Sequence, residues 1–434
     1  MRVETSASSL PQKNTCYSVP QAAASLKPDE KSACRITAIC GLDQVLGTKN
    51  VSGFADGPEK AENPPAGPTA GRHQHSGSAR GDSSDHHGRG PVYGALDLGT
   101  NNCRLLLARP SRRGFRVVDA FSRIIRLGEG VSQSGVLSDV AMNRTIDALR
   151  ICAQKLERAA THRARLVATE ACRSAANSSH FLVRVKSELG LDIEVLTPEE
   201  EATLAVAGCA TLIDTTVDYA LVFDIGGGSS ELVWIDLRRI SGAGSQAASR
   251  IVDSVRRGNG QAVWTSLPVG VVTLAERFGG CEVTPAIFEA MVSYVEGLIA
   301  PFEERHRFRK RIEGSAVHFL GTSGTVTTVA GIQLGLPRYD RSKVDGCWMR
   351  VSDVNRVTYD LLARSYAQRV AEPCIGHDRA DLVLAGCAIL EAIIRAWPCE
   401  RLRVADRGLR EGILSSLMME DSMFRASRRR RRGE

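Results

Sequence analysis

From residue 91 onward the chain alternates between two hydrophobic rhythms. "YGALDLGTNNCRLLLARP" joins two apolar arms through Asp97 and a small polar turn, which predicts a hairpin ending before Pro110. "FRVVDAFSRIIRLGEGV" continues with strand-like pieces. Apolar residues three and four apart then predict helices over 138–159 and 178–188, with "RARLVATEA" between them as a buried strand. "DIEVLT" predicts a further strand running into a helix from Pro198. The second half repeats the scheme. The hairpin "LVFDIGGGSSELVWI" is followed by "TSLPVGVVTLAERFG", a helix from about 284 to 306, the strand "AVHFLG" and a helix from about 324. A helix near 380–396, the strand "RLRVA" and the helix "GLREGILSSLMM" close the pattern.

Strands first, then helix and strand alternating, twice over, predict two related α/β domains with a cleft between them. The halves echo each other: Asp97 corresponds to Asp224 and Gly99 to Gly226, each in an apolar–Asp–aliphatic–Gly run. One such run is common, whereas one at the head of each half marks a duplication. The expected organisation is a disordered extension over 1–90, one domain over 91–205, a second over 206–420 whose last helix packs back on the first, and a basic tail over 421–434. Residues 1–90 are rich in Gly, Pro, Ser and His without apolar periodicity. Their His73, His75, His86 and His87 lack the fixed setting a metal site needs.

Composition narrows the class. A 43% hydrophobic fraction supplies an ordinary core, no run of about eighteen apolar residues predicts a membrane span, and the N-terminus lacks an apolar secretion segment. A cytoplasmic protein is expected. Twelve scattered cysteines without a C-x-x-C read as small buried hydrophobes of a reducing compartment. The net charge of +7 owes much to Arg428–Arg432, a solvated tail, so no specific nucleic-acid partner is expected.

Gly226, Gly227 and Gly228 lack a Cβ, so their backbone is able to approach a ligand or adopt positive φ. Successive free N–H groups there form an anion nest, to which Ser229, Ser230, Thr100, Asn101 and Asn102 add donors. Two such hairpins facing each other would clamp a phosphate chain. Asp97 and Asp224 would repel it unless a cation, most plausibly Mg²⁺, lay between; each alone also reads as a turn-capping aspartate. In "LTPEEEATLAV", Thr197, Pro198 and Glu200 spell a helix start, which accounts for Glu199 and Glu200. Glu201 is either a third surface acid or a carboxylate facing the cleft, where it would orient or deprotonate a water. Arg173, after a buried strand, would fork onto phosphate oxygens or pair with an acid. "FLGTSGTVTTVAG" puts a Gly/Ser/Thr turn at a helix start without the Lys of a Walker loop. His377-Asp378 lacks the further histidines of a metal phosphohydrolase cage, so a structural pairing is expected there.

Together, "ALDLGTNNCRLL", "VATEACRSAANSSHFLVRVKSELGLDIEVLTPEEEA", "VFDIGGGSSELV", "SLPVGVVTLAERF", "GTSGTVTTVAG", "RADLVLAGCAIL" and "VADRGLREGIL" resemble the Ppx/GppA family, exopolyphosphatases and guanosine pentaphosphate phosphohydrolases, over about residues 92–415. The resemblance implies two ribonuclease H-like domains of the actin/Hsp70/sugar-kinase superfamily around an interdomain cleft. It implies Glu201 as the catalytic carboxylate, Asp224 and Glu231 in activity and metal handling, and Arg173 as a phosphate contact. Thr100 stands where many relatives have serine. Only about twenty residues follow Leu414, so a short form without the helical C-terminal domain of longer relatives is expected. The implied activity is Mg²⁺-dependent release of terminal orthophosphate from inorganic polyphosphate. The alternatives are hydrolysis of guanosine pentaphosphate to the tetraphosphate, non-catalytic sensing of either ligand, and an ATP-dependent kinase of the same fold. Oligomeric state stays open, with a homodimer allowed for.

Overall fold

The computed structural model describes residues 90–111, 114–240, 244–258 and 260–421. The expectations for residues 1–89 with their histidines, and for the Arg428–Arg432 tail, lie outside the described residues. Two mixed sheets organise the rest. In the first, β1 (Tyr93–Leu98), β2 (Asn102–Ser111), β3 (Gly114–Ile124), β4 (Arg163–Ala168) and β5 (Glu194–Val195) take the order β3-β2-β1-β4-β5. In the second, β6 (Tyr219–Ile225), β7 (Ser230–Asp236), β8 (Ala262–Leu267), β9 (Val317–Thr322), β10 (Trp348–Arg350) and β11 (Arg401–Ala405) take the order β10-β11-β9-β6-β7-β8.

The echo in the sequence is an echo in topology. β1 pairs antiparallel with β2 and parallel with β4; β6 pairs antiparallel with β7 and parallel with β9. Each central strand is apolar on both faces because helices cover both sides. On one face of the first sheet, Leu98 and Leu105 meet Leu149 and Phe181 from the helices Asp139–Arg158 and Ser178–Leu189. On the other, Tyr93, Ala95, Leu106 and Val167 meet Ile413, Leu414, Leu417 and Met418 of the helix Leu409–Glu420. That helix crosses the helix Pro198–Cys209 at backbone contact, since a Cβ at Gly412 would land on the Leu204 carbonyl.

Several expectations change. "DIEVLT" forms a strand only at Glu194–Val195, and the chain after Ile124 turns through the short helix Val131–Ser134. The helix near 380–396 starts at Val383, after a single 3₁₀ turn at His377–Arg379. His377 Nδ1 lies 3.5 Å from Asp378 Oδ1. Cys103, Cys152, Cys172, Cys209, Cys374 and Cys387 are buried as expected of small hydrophobes, but Cys281 is exposed and Cys347 and Cys399 partly so. Cys281 follows Gly279 and Gly280 in a surface turn, where no core surrounds it. Among the described residues no helix is long and apolar enough to cross a membrane.

Candidate active site

Each hairpin closes with the same short turn, Gly99 N–H donating to the Asn102 carbonyl (2.9 Å) and Gly226 N–H to that of Ser229 (3.0 Å). The glycines of the second hairpin all have φ outside the left-handed region, so positive φ is not their reason for being there. Close approach is. A Cβ on Gly227 would sit 2.9 Å from Thr100 Cβ, and one on Gly228 would sit 2.7 Å from Thr100 Oγ1 and 2.8 Å from Glu170 Cγ. The hairpins of the two halves therefore touch.

The loop's polar groups divide by direction. The carbonyls of Gly226 and Gly227 accept from Val271 and Val272 at the start of the helix Val271–Phe278 (3.0 and 2.8 Å). The N–H groups of Gly227, Gly228 and Ser229 donate to no described residue, which leaves them for an anion. Asn101 and Asn102 keep buried side-chain oxygens without a partner.

Asp97, Thr100, Asn101, Asn102, Glu201, Asp224, Gly226, Gly227, Gly228, Ser229 and Glu231 all line one cavity of about 100 Å³. Two expected residues do not. Ser230 is buried with its hydroxyl on the Val269 carbonyl (2.7 Å), because strand pairing turns it into the core. Arg173, expected on phosphate, instead reaches Glu170 Oε2 (2.6 and 2.9 Å), the Leu196 carbonyl (2.8 Å) and Glu201 Oε2 (3.0 Å). It sits behind the wall because the turn after β4 is already the helix Glu170–Ser174, which aims it at the start of the helix Pro198–Cys209. There Thr197 and Glu200 form the expected capping box, with Thr197 Oγ1 accepting from Glu200 N–H at 3.2 Å, and Glu201 faces the cavity one position on.

Charge accumulates in this space. Burial, and then the charge of Glu231, pushes the Glu201 carboxyl well above the usual carboxylate range, against the pull of Arg173. Burial and Asp224 push Glu231 up to about 7, against the hydroxyls of Ser229 and Ser266. Burial and Asp97 push Asp224 up to about 6, and burial raises Asp97 against Arg104 and Arg410. Oxygen-only donors whose mutual repulsion Arg173, Arg104 and Arg410 offset only in part are the set a hard divalent cation accepts. Among the described residues no group of three or more His, Cys, Asp or Glu forms a ready-made metal cage, so an ion at Asp97 and Asp224 would complete its shell with phosphate oxygens and water.

Pattern reading missed Glu170, Ser323, Arg407, Arg410 and Glu411, which share the cavity. Chain crossings bring them there; the stretches that carry them stand out in the sequence, the Ser323 turn as an anion-friendly helix start among them, but nothing local says which side chains face the cavity. It also missed Arg104, although this residue lies inside the duplicated hairpin.

The comparisons agree with this geometry. The Ppx/GppA phosphatase family model matches residues 107–421. The guanosine-5'-triphosphate,3'-diphosphate pyrophosphatase of Photobacterium profundum is 28% identical over 329 residues, covering 76% of this chain and 59% of its own. The chain thus spans about three-fifths of the length of that curated relative. The crystal structure of the Aquifex aeolicus Ppx/GppA family member superposes with a TM-score of 0.60 at 26% identity, over 76% of this chain and 98% of that one. An exopolyphosphatase from Cytophaga hutchinsonii shares the fold at a TM-score of 0.65 and 23% identity, with the same coverage. Duplicated hairpins meeting over a carboxylate-lined cavity, in a chain whose family match runs through nearly all the described residues, make this protein a member of the Ppx/GppA phosphatase family.

Proposed function

We propose that the protein hydrolyses a terminal phosphoanhydride and releases orthophosphate, with Glu201 as the base. One observation carries this reading: Glu201 lines the cavity that the two hairpins enclose, and Arg173 fixes its carboxylate at 3.0 Å. A raised pKa suits a base that must take a proton near neutral pH. The free N–H groups of Gly227, Gly228 and Ser229, with the Thr100 hydroxyl, hold the phosphate oxygens. Glu201 orients a water against the phosphorus and takes its proton as the anhydride oxygen departs. Mg²⁺, held by Asp97 and Asp224, would offset negative charge on the phosphate oxygens.

Of the two expected substrates, guanosine pentaphosphate gains over inorganic polyphosphate. A groove of about 600 Å³ opens beside Thr100 and Gly228, and its lining includes Tyr294, Gln133, Glu170 and Glu276 with Arg277 as the one cation among its lining residues. Such a wall suits a nucleoside better than a polyanion, and the Photobacterium relative is named for the nucleotide.

The test is orthophosphate release from guanosine pentaphosphate and from long-chain polyphosphate with Mg²⁺, wild type beside Glu201→Gln. Release that vanishes in a variant of unchanged melting temperature supports the reading. Near-wild-type turnover in Glu201→Gln removes Glu201 from the role of base, and binding without release makes the protein a sensor.

A further inference from the structure

The two hairpins are held from behind in the same way. The second is held by the helix Val271–Phe278, whose first N–H groups donate to the carbonyls of Gly226 and Gly227. The first is held by residues 125–128. Thr100 accepts there from Gly128 N–H (2.9 Å), and Asn101 from the N–H groups of Ile125 and Arg126 (2.9 and 3.1 Å). The fit is close, since a Cβ on Gly128 would sit 2.3 Å from Thr100 Cγ2. Helix and loop thus each fix the outline of one Gly-rich turn.

Helix and loop are also tied to each other. Glu276, on that helix, accepts from Gly130 N–H through Oε1 (2.7 Å) and from the Ser132 hydroxyl through Oε2. Arg126 forks onto the Asp381 carboxylate at 2.8 and 3.1 Å and donates to the Asp378 carbonyl at 3.3 Å. Asp381 moves with the helix, because Gly280, just past the helix end, packs on its backbone: a Cβ at Gly280 would lie 2.1 Å from the Asp381 carbonyl. The side chains of the Arg126–Asp381 pair are only 31% and 18% exposed, so water screens it less than an open surface pair. Arg126 makes this reach from φ 47°, a left-handed backbone that bulky residues seldom adopt. Its N–H is held on Asn101 and its carbonyl on Arg144 Nη2 at 3.0 Å. Strain of this kind persists only where the surroundings impose it.

We infer that residues 125–132, Glu276 and Asp381 form a clasp between the two halves, which holds the two Gly-rich hairpins face to face. Asp381 is then a positioning residue. It lines neither the catalytic cavity nor the groove beside Thr100, and it acts through the loop on Thr100 and Asn101. Glu276 lines that groove as well, so Asp381 isolates the clasp more cleanly. The effect on turnover rests on the phosphoanhydride reading, whereas the clasp itself is measured without substrate.

The experiment is hydrogen exchange by mass spectrometry on the full chain without ligand. It follows residues 125–128, whose Ile125, Arg126 and Gly128 amides bond the first hairpin and neither carboxylate. Wild type is compared with Asp381→Ala, Asp381→Glu and Glu276→Ala, with melting temperatures and the amides of β6 as folding controls. Both alanine variants alter only the second half, yet they should speed exchange at 125–128 by about 5- to 20-fold, the loss of a partly screened charged hydrogen bond. Asp381→Glu should restore most of the protection. In turnover of guanosine pentaphosphate, kcat/KM should fall by a similar factor in Asp381→Ala and recover in Asp381→Glu. If Asp381→Ala fails to fold, Asp381→Asn carries the test with a smaller increase, because its amide keeps an acceptor without the charge. Unchanged exchange in the folded variants overturns the inference, as does an increase shared equally by β6. Faster exchange with unaltered kcat/KM also overturns it, since the clasp then positions nothing. Faster, glutamate-rescued exchange in a protein that turns over neither substrate leaves the clasp standing and sinks the hydrolase reading. Wild-type turnover with unchanged exchange does the reverse.

Discussion

Replacing Glu231 by glutamine in metal-free protein removes a charge from the most enclosed carboxylate of the cleft while keeping its shape. Glu231 is 2% exposed, and its Oε1 accepts from the Ser266 hydroxyl at 2.9 Å, a bond that an amide oxygen retains. Its carboxyl is raised from 4.5 to about 7. A carboxyl raised on folding binds its proton more tightly in the native state, so stability is highest where it is protonated and falls as pH climbs from the unfolded to the folded pKa. At about 1.4 kcal/mol per unit, the penalty is about 1 kcal/mol at pH 5 and about 3 kcal/mol at pH 8. Glutamine mimics the protonated form and escapes it. Urea unfolding in EDTA should show Glu231→Gln more stable than wild type by those amounts, the gap widening between pH 5 and pH 8. This would be a large share of a typical folding free energy of about 5–15 kcal/mol. A gap that stays flat with pH, or a variant less stable than wild type at pH 8, would show that the carboxylates are not in electrostatic conflict and would refute the reasoning.

Two further outcomes follow from the same charges. Mg²⁺ at a hundredfold excess over its Kd should stabilise wild type by about 2.7 kcal/mol, and Asp224→Asn should lose most of that increment in thermal melts; an equal increment in both removes Asp224 from the ion's shell. Arg173→Met strands Glu170 and Glu201 in a recessed site, so stability should drop by about 3 kcal/mol. Because it also removes the cation that lowers the Glu201 pKa, the acid limb of the kcat–pH profile should move to higher pH. An unshifted limb would separate Arg173 from Glu201.

Much of the scaffold was legible because periodicity and capping are local. The helix expected over 138–159 is Asp139–Arg158, the one over 284–306 is Pro285–His306, and Thr197 caps where its spacing with Glu200 said it would. The helix Ser245–Arg257 went unread because its Ser, Gln and Arg residues outnumber the few apolar ones that mark its buried side. Within the site, Asp97 and Asp224 were found through the paired hairpins and Glu201 through the helix start it follows, but Glu170 and Glu411 were not. Nor were the basic members. Arg410 reaches the cavity only because the helix Leu409–Glu420 returns to β1, and Arg173 points away only because the chain is already helical at Glu170. Such relations are set by tertiary packing, which no local pattern encodes.

The return of that helix bears on how the molecule is made. The bare side of the first sheet is finished by Ile413, Leu414, Leu417 and Met418, and Tyr93 hydrogen-bonds Asp421 across 328 positions of chain. During translation the first sheet must wait, apolar side uncovered, until almost the whole of the described chain has left the ribosome. The opening half is therefore not a unit that matures on its own. Its exposed strands are natural clients for chaperones, and a nascent chain stalled before residue 409 should be a substrate for quality control rather than a soluble half-protein.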